Sequence, residues 1–132
     1  MSNEEKKEKI GTIKEKIDID FPSSMQILEI NVNITQNKFY TIDAVFKVSK
    51  EEINAIYKQL NEEMQLYKWH KWLKNEPYFP KIWLELVEGR EDYDFFDKAV
   101  PNSGKGANQM FFLVVPSEVD TSYTIYISYF GE

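Results

Sequence analysis

The sequence predicts one α+β domain over residues 1–132: a largely antiparallel five-stranded sheet packed on one main helix, in the order α-β-β-α-β-β-β. Three observations carry that prediction. Residues 28–34 and 40–48 each alternate apolar and polar side chains across a short polar turn, the pattern of a half-wet antiparallel hairpin. An apolar stripe at helical spacing follows directly, from Ile53 to Tyr67. Two more strand-like runs, 110–115 and 123–130, close the chain. At this length roughly two-thirds of the unfolded surface can be buried, so a core can form without staples.

The elements follow in order. Ser2-Asn3-Glu4-Glu5 has capping-box spacing, and Ile10, Ile13 and Ile17 share one helical face behind it. This predicts a first helix over 3–17, ended by Asp20-Phe21-Pro22. Gly11 weakens it by about 1 kcal/mol relative to alanine. The apolar stripe is thin, so residues 1–20 are expected to dock loosely at the domain edge. Leu28, Ile30, Val32 and Ile34 then alternate with Glu29, Asn31 and Asn33. Gln36-Asn37-Lys38 turns the chain. Tyr40, Ile42, Ala44, Phe46 and Val48 form the buried face of the next strand, against Thr41, Asp43, Val45 and Lys47.

Ser49-Lys50-Glu51-Glu52 repeats the capping-box spacing. Ile53, Ile56, Tyr57, Leu60, Met64 and Tyr67 make the stripe that should cover the hairpin. Leu66, Trp69 and Leu73 form a second stripe on roughly the opposite side, so the helix either ends or kinks near 65 or is apolar on two faces. Asn75-Glu76-Pro77 stops it in any case. Residues 81–87 are expected as a strand, and 89–108 as a long loop with a helical turn at 91–98. Residues 110–115 are continuously apolar, as in a strand buried on both faces. Tyr123, Ile125, Ile127 and Tyr129 share one side of the last strand.

Composition removes several classes of chemistry. There are no cysteines and one histidine, which excludes disulfides, thiolate nucleophiles, cysteine-ligated zinc and most histidine metal sites. A net charge of −6 argues against binding double-stranded nucleic acid or an anionic membrane. No apolar run is long enough for a transmembrane segment. The charged N-terminus predicts a cytoplasmic location. A chain whose secretion or lipoprotein signal had been cut away and replaced by a start methionine would read the same.

Two segments stand out as candidate contact surfaces. Residues 68–81 carry four lysines and one glutamate, interleaved with Trp69, Trp72, Tyr78 and Phe79. Tryptophan and tyrosine offer large contact area with few torsions to freeze, so these four are expected partner anchors, as against a tryptophan cap on the core solvated by lysines. Stacking on single-stranded nucleic acid is a weaker use of the same pattern. The second segment is acidic: Glu85, Glu88, Glu91, Asp92, Asp94 and Asp97, offset by Arg90. Asp92 and Asp94 have calcium-loop spacing, but Phe96 takes the next ligand position and the closing glutamate is missing. Glu91, Asp92, Asp94 and Asp97 are therefore expected as an electrostatic rim for a basic protein partner, with no metal.

Catalytic patterns are weak. Residues 101–107 contain Gly104-Lys105, yet Ala99 stands where a phosphate loop needs glycine and Gly106 where it needs a hydroxyl. No serine has a nucleophile-elbow setting. His70 lies between two tryptophans, a setting of surface or interface residues. No catalytic residue and no cofactor is assigned. In architecture and in its acidic, cysteine-free, aromatic-rich composition the chain is similar to small bacterial immunity and inhibitor proteins in general. No motif names a family and no residue is carried over.

The expected function is a small, acidic, non-catalytic protein-binding module. The alternative is a small-molecule binder or minor enzyme with a pocket between sheet and helix, lined by Tyr57, Tyr67, Tyr126 and Asp43. A homodimer through the second stripe, Leu66, Trp69 and Leu73, is a third reading.

Overall fold

The computed structural model describes residues 3–17, 19–22, 24–34, 36, 40–63, 65–68, 81–101 and 107–131. Helix α1 is Asn3–Ile17, followed by strands β1, Gln26–Ile34, and β2, Tyr40–Val48. Helix α2, Lys50–Glu63, leads into the short strand β3, Gln65–Lys68. A 3-10 turn, Lys81–Trp83, runs into helix α3, Leu84–Val87. Strands β4, Asp94–Pro101, β5, Ala107–Pro116, and β6, Tyr123–Gly131, complete the chain. One antiparallel sheet carries the strands in the order β1-β2-β6-β5-β4-β3. Five are long; the four-residue β3 adds a sixth at one edge. The α+β class and the antiparallel sheet are those the alternating patterns predict.

The sheet has two unequal sides. On one, Ile42, Ala44, Phe46 and Val48 of β2 meet Ile125, Ile127 and Tyr129 of β6, then Met110, Phe112 and Val114 of β5. Ile53, Ile56 and Leu60 of α2 cover them at i, i+3 and i+7, and Ile13 adds α1 to the same core. On the other side Phe95, Phe111, Leu113 and Val115 are covered by Val87 of α3 and by Trp83 just before it. Residues 110–115 are buried throughout because both sides of β5 are covered, as the unbroken apolar run predicts. The cover on the second side stops short, leaving the β1–β2–β6 half of that side part-open.

Several expectations are corrected. Residues 81–87 are helical, not a strand: Trp83 and Val87 are buried while Glu85 between them is exposed, which a period of two forbids. The expected loop 89–108 contains β4, and residues 94–98 are strand rather than a helical turn. Phe95 and Phe96 are both fully buried, one on each side of the sheet, so covered faces hold extended a segment whose flanking acids read as loop. Helix α2 ends at Glu63, and Leu66 and Tyr67 stand in β3, so no second helical stripe begins at Leu66. Met64, Trp69 and Leu73 lie outside the described residues. In β1 the register shifts between Ile27 and Glu29, so Ile27 takes the inward place opposite Phe46. Leu28, expected inside, is half-exposed, and so is Ile34 at the strand end.

Helix α1 is anchored chiefly through Ile13, which is 1% exposed, with Ile10 partly buried beside the same core. No helix among the described residues is long and apolar enough to cross a membrane.

Candidate functional site

The open half of the second side is built by strand alternation. In β2, burial of Ile42 and Ala44 under the helices sends Asp43 and Val45 to the other side. The hairpin register sets Asn31 opposite Asp43 and Glu29 opposite Val45, so the two carboxylates are diagonal neighbours on one surface. Across β2, Asp43 faces Ser128 and Val45 faces Tyr126 of β6. Trp83 and Leu86 stand over this surface at the margin of α3. Glu29, Asp43, Val45, Tyr126, Trp83 and Leu86 enclose a cleft of about 180 Å³.

One wall of the cleft is aromatic and the other acidic. The Trp83 and Tyr126 rings lie 6.3 Å apart and tilted, and Trp83 also meets Phe95 edge-on at 6.3 Å. Phe95 stacks in turn on Phe111 at 5.8 Å, so the aromatic wall is rooted in the second core. Burial raises the pKa of Asp43, the Glu29 charge raises it further, and the Ser128 hydrogen bond partly opposes them. Burial also raises the Tyr126 hydroxyl, against an opposing effect of the Arg90 charge. Asn31 Nδ2 donates to Glu29 Oε1 at 2.9 Å, which fixes the second carboxylate along its own strand.

Arg90 fastens the margin of the site. Its Nε and Nη2 donate to the two Asp92 oxygens at 2.8 and 2.7 Å, and Nη2 also donates to the Pro116 carbonyl at 2.7 Å. Glu118 lies 3.5 Å from Nη1. This paired geometry ties the segment after α3 to the β5–β6 turn and holds the Asp92 carboxyl below its usual pKa. The turn itself is held by Asp120, which accepts from the Ser122 backbone N–H at 2.8 Å, from the Ser122 hydroxyl and from Lys47.

The residues singled out in the sequence divide differently from expectation. Trp69, Trp72, Tyr78 and Phe79 lie outside the described residues. Glu91 and Asp92 are exposed, and Asp92 is held by Arg90. Asp94 is half-buried on the α2 side and accepts the Tyr57 hydroxyl at 2.6 Å. Asp97 stands in β4 opposite Phe111, with its side chain outside those described. Of the four expected pocket residues, Asp43 and Tyr126 do meet. Tyr57 lies on the opposite side of the sheet against Phe96, and the Tyr67 side chain is not among those described. The cleft is therefore not between sheet and α2 but beneath α3.

Glu29, Trp83 and Leu86 were not singled out. For Glu29 a signal existed: counting back from the 36–38 turn puts it on the wet side of the hairpin near Asp43. Two larger grooves, about 290 and 340 Å³, flank α1 where it meets β1 and β2. The first is mainly apolar, and the second sets Glu5, Glu8, Lys9 and Thr12 of α1 against Val32, Ile34 and Tyr40. No group of three or more acidic or histidine side chains suited to a metal occurs among the described residues. Comparison of the chain with family models, curated proteins and solved structures finds no match.

Proposed function

We propose that this protein is a small, non-catalytic, cytoplasmic binding module of the immunity or inhibitor kind, which docks a basic protein partner on the open half of its sheet. The observation that carries the reading is the cleft where Asp43 and Glu29 face Trp83 and Tyr126. A lysine or arginine side chain suits such a site on two counts. Its charge relieves the repulsion between the carboxylates, and its stem or guanidinium plane packs on aromatic faces. Size favours a side chain over a free ligand, because about 180 Å³ falls below the roughly 300–1,000 Å³ of small-molecule pockets. The overall charge of −6 would steer a basic partner toward the face. Trp69, Trp72, Tyr78 and Phe79 stay in the proposal as aromatic anchors on their sequence chemistry alone.

The test is a calorimetric and NMR titration with arginine- and lysine-bearing peptides, reading the Trp83 indole N–H. Binding should move that signal and weaken about tenfold in Asp43→Asn. Saturable binding that leaves Trp83 unmoved, or that Asp43→Asn does not weaken, removes the cleft from the proposal.

A further inference from the structure

Strand β1 forms one edge of the sheet, so one row of its backbone N–H and C=O groups meets no other strand among the described residues. Natural edges are blunted by lysines, prolines, shortness or bulges. Gln26–Ile34 is nine residues long, has no lysine or proline, and carries one charge, Glu29. Its single protective feature is the register shift beside Leu28, near its start. Two of the exposed large hydrophobic side chains, Leu28 at 51% and Ile34 at 62%, lie on this one strand.

Their spacing is symmetric. We propose that β1 pairs antiparallel with β1 of a second copy across a two-fold axis at Asn31, joining two six-stranded sheets into one continuous sheet. A two-fold normal to the sheet keeps the helix-covered sides together and, outside the register shift at Leu28, lets each residue face one on the same side. With Asn31 on the axis, Ile30 faces Val32 of the second copy, and Ile34 comes level with Leu28 at the register shift, once at each end of the seam. Both exposed side chains then lie at the seam, twice over. The strand's one charge, Glu29, faces Asn33 of the second copy, so no like charges are opposed. Neighbouring registers lack this fit. An axis at Ile30 sets Ile34 against Gln26, one at Val32 leaves Leu28 beyond the paired strands, and one at Glu29 puts two carboxylates face to face. The cleft shares Glu29 with the edge strand, whereas Asp43 stands one strand in from the edge.

The full chain would be examined by sedimentation equilibrium. The wild type should be a dimer, Leu28→Lys and Ile34→Glu should each weaken it at least tenfold, and Val119→Glu, at a 91% exposed position remote from the strand, should not. The chain has no cysteine, so Asn31→Cys places one thiol per copy on the axis, and oxidation should give a covalent dimer. Circular dichroism checks each variant, and Leu28→Lys alone decides if Ile34→Glu misfolds. A monomer at the highest soluble concentration overturns the proposal. So does a dimer indifferent to the folded edge variants, or one in which Cys at position 31 does not cross-link. Asp43→Asn should leave the dimer intact, which separates this contact from the cleft.

Discussion

Two tyrosines show how the surroundings of one hydroxyl decide its sign. Tyr57 donates to Asp94 at 2.6 Å and ties α2 to β4, and burial with the neighbouring carboxylate pushes its pKa well up. Tyr93 is 1% exposed in the second core, and its hydroxyl has no hydrogen-bond partner among the described residues. Tyr57→Phe should therefore cost about 1–2 kcal/mol in urea unfolding, while Tyr93→Phe should be neutral or stabilising by up to about 1 kcal/mol. Equal losses in the two variants would contradict this account. Asp43 follows the same logic with a charge. Its folded pKa is raised, so it stabilises the fold fully only below the unfolded value of about 3.9, and that contribution is lost as pH rises through the folded value. Asp43→Asn should thus gain a few tenths of a kcal/mol at pH 7, and the gain should vanish below about pH 4. A residue that weakens the fold and strengthens ligand contact is what a binding site requires.

Elements differ in how far local sequence determines them. Two glycines make the point. Gly11 is an exposed residue inside α1 with open space where a Cβ would stand, so Gly11→Ala should stabilise by about 0.5–1 kcal/mol. Gly89 also has open space, yet its φ of +74° lets the chain leave α3, where Arg90 N–H bonds back to the Val87 carbonyl. Gly89→Ala should therefore cost about 1 kcal/mol, and thermal melts of the pair should move in opposite directions. Strand β2 and α2 were legible for the same local reason: periods of two and of 3.6 run unbroken over nine and fourteen residues. Strand β4 was not, because what holds Phe95 and Phe96 extended is cover from Trp83 on one side and Tyr57 on the other, both distant in sequence. Residues 81–87 could have been read correctly. Glu85 shares strand parity with Trp83 and Val87, whereas a helix puts Trp83 and Val87 together and Glu85 outside. The cleft was half legible: the hairpin register supplies Glu29 and Asp43, but only the tertiary placement of α3 brings Trp83 and Leu86 over them.

At the scale of the whole molecule, salt should pull three properties apart. The chain carries −6, and apart from those of Arg90 its ion pairs among the described residues are at the surface, with side chains such as Lys14 and Asp20 64% and 79% exposed. Pairs of that kind contribute about 0–1 kcal/mol each, so screening them removes little. Screening the net charge relieves self-repulsion in the folded state. Raising ionic strength from about 0.01 to about 1 M shortens the Debye length from roughly 30 to 3 Å. Across that range the melting temperature should hold or rise slightly. Affinity for a basic peptide should fall at least about tenfold, because steering and the carboxylate contact are both ionic. Dimerisation through β1 should strengthen instead, since two copies of like charge approach through backbone bonds and apolar side chains rather than through ion pairs. The three responses come from one titration followed by melting, peptide binding and sedimentation. A dimer that dissociates in salt would be held by charges, and the β1 edge would not be its seam. Peptide binding indifferent to salt would take Asp43 and Glu29 out of the contact and leave the aromatic wall of Trp83 and Tyr126 to account for it alone.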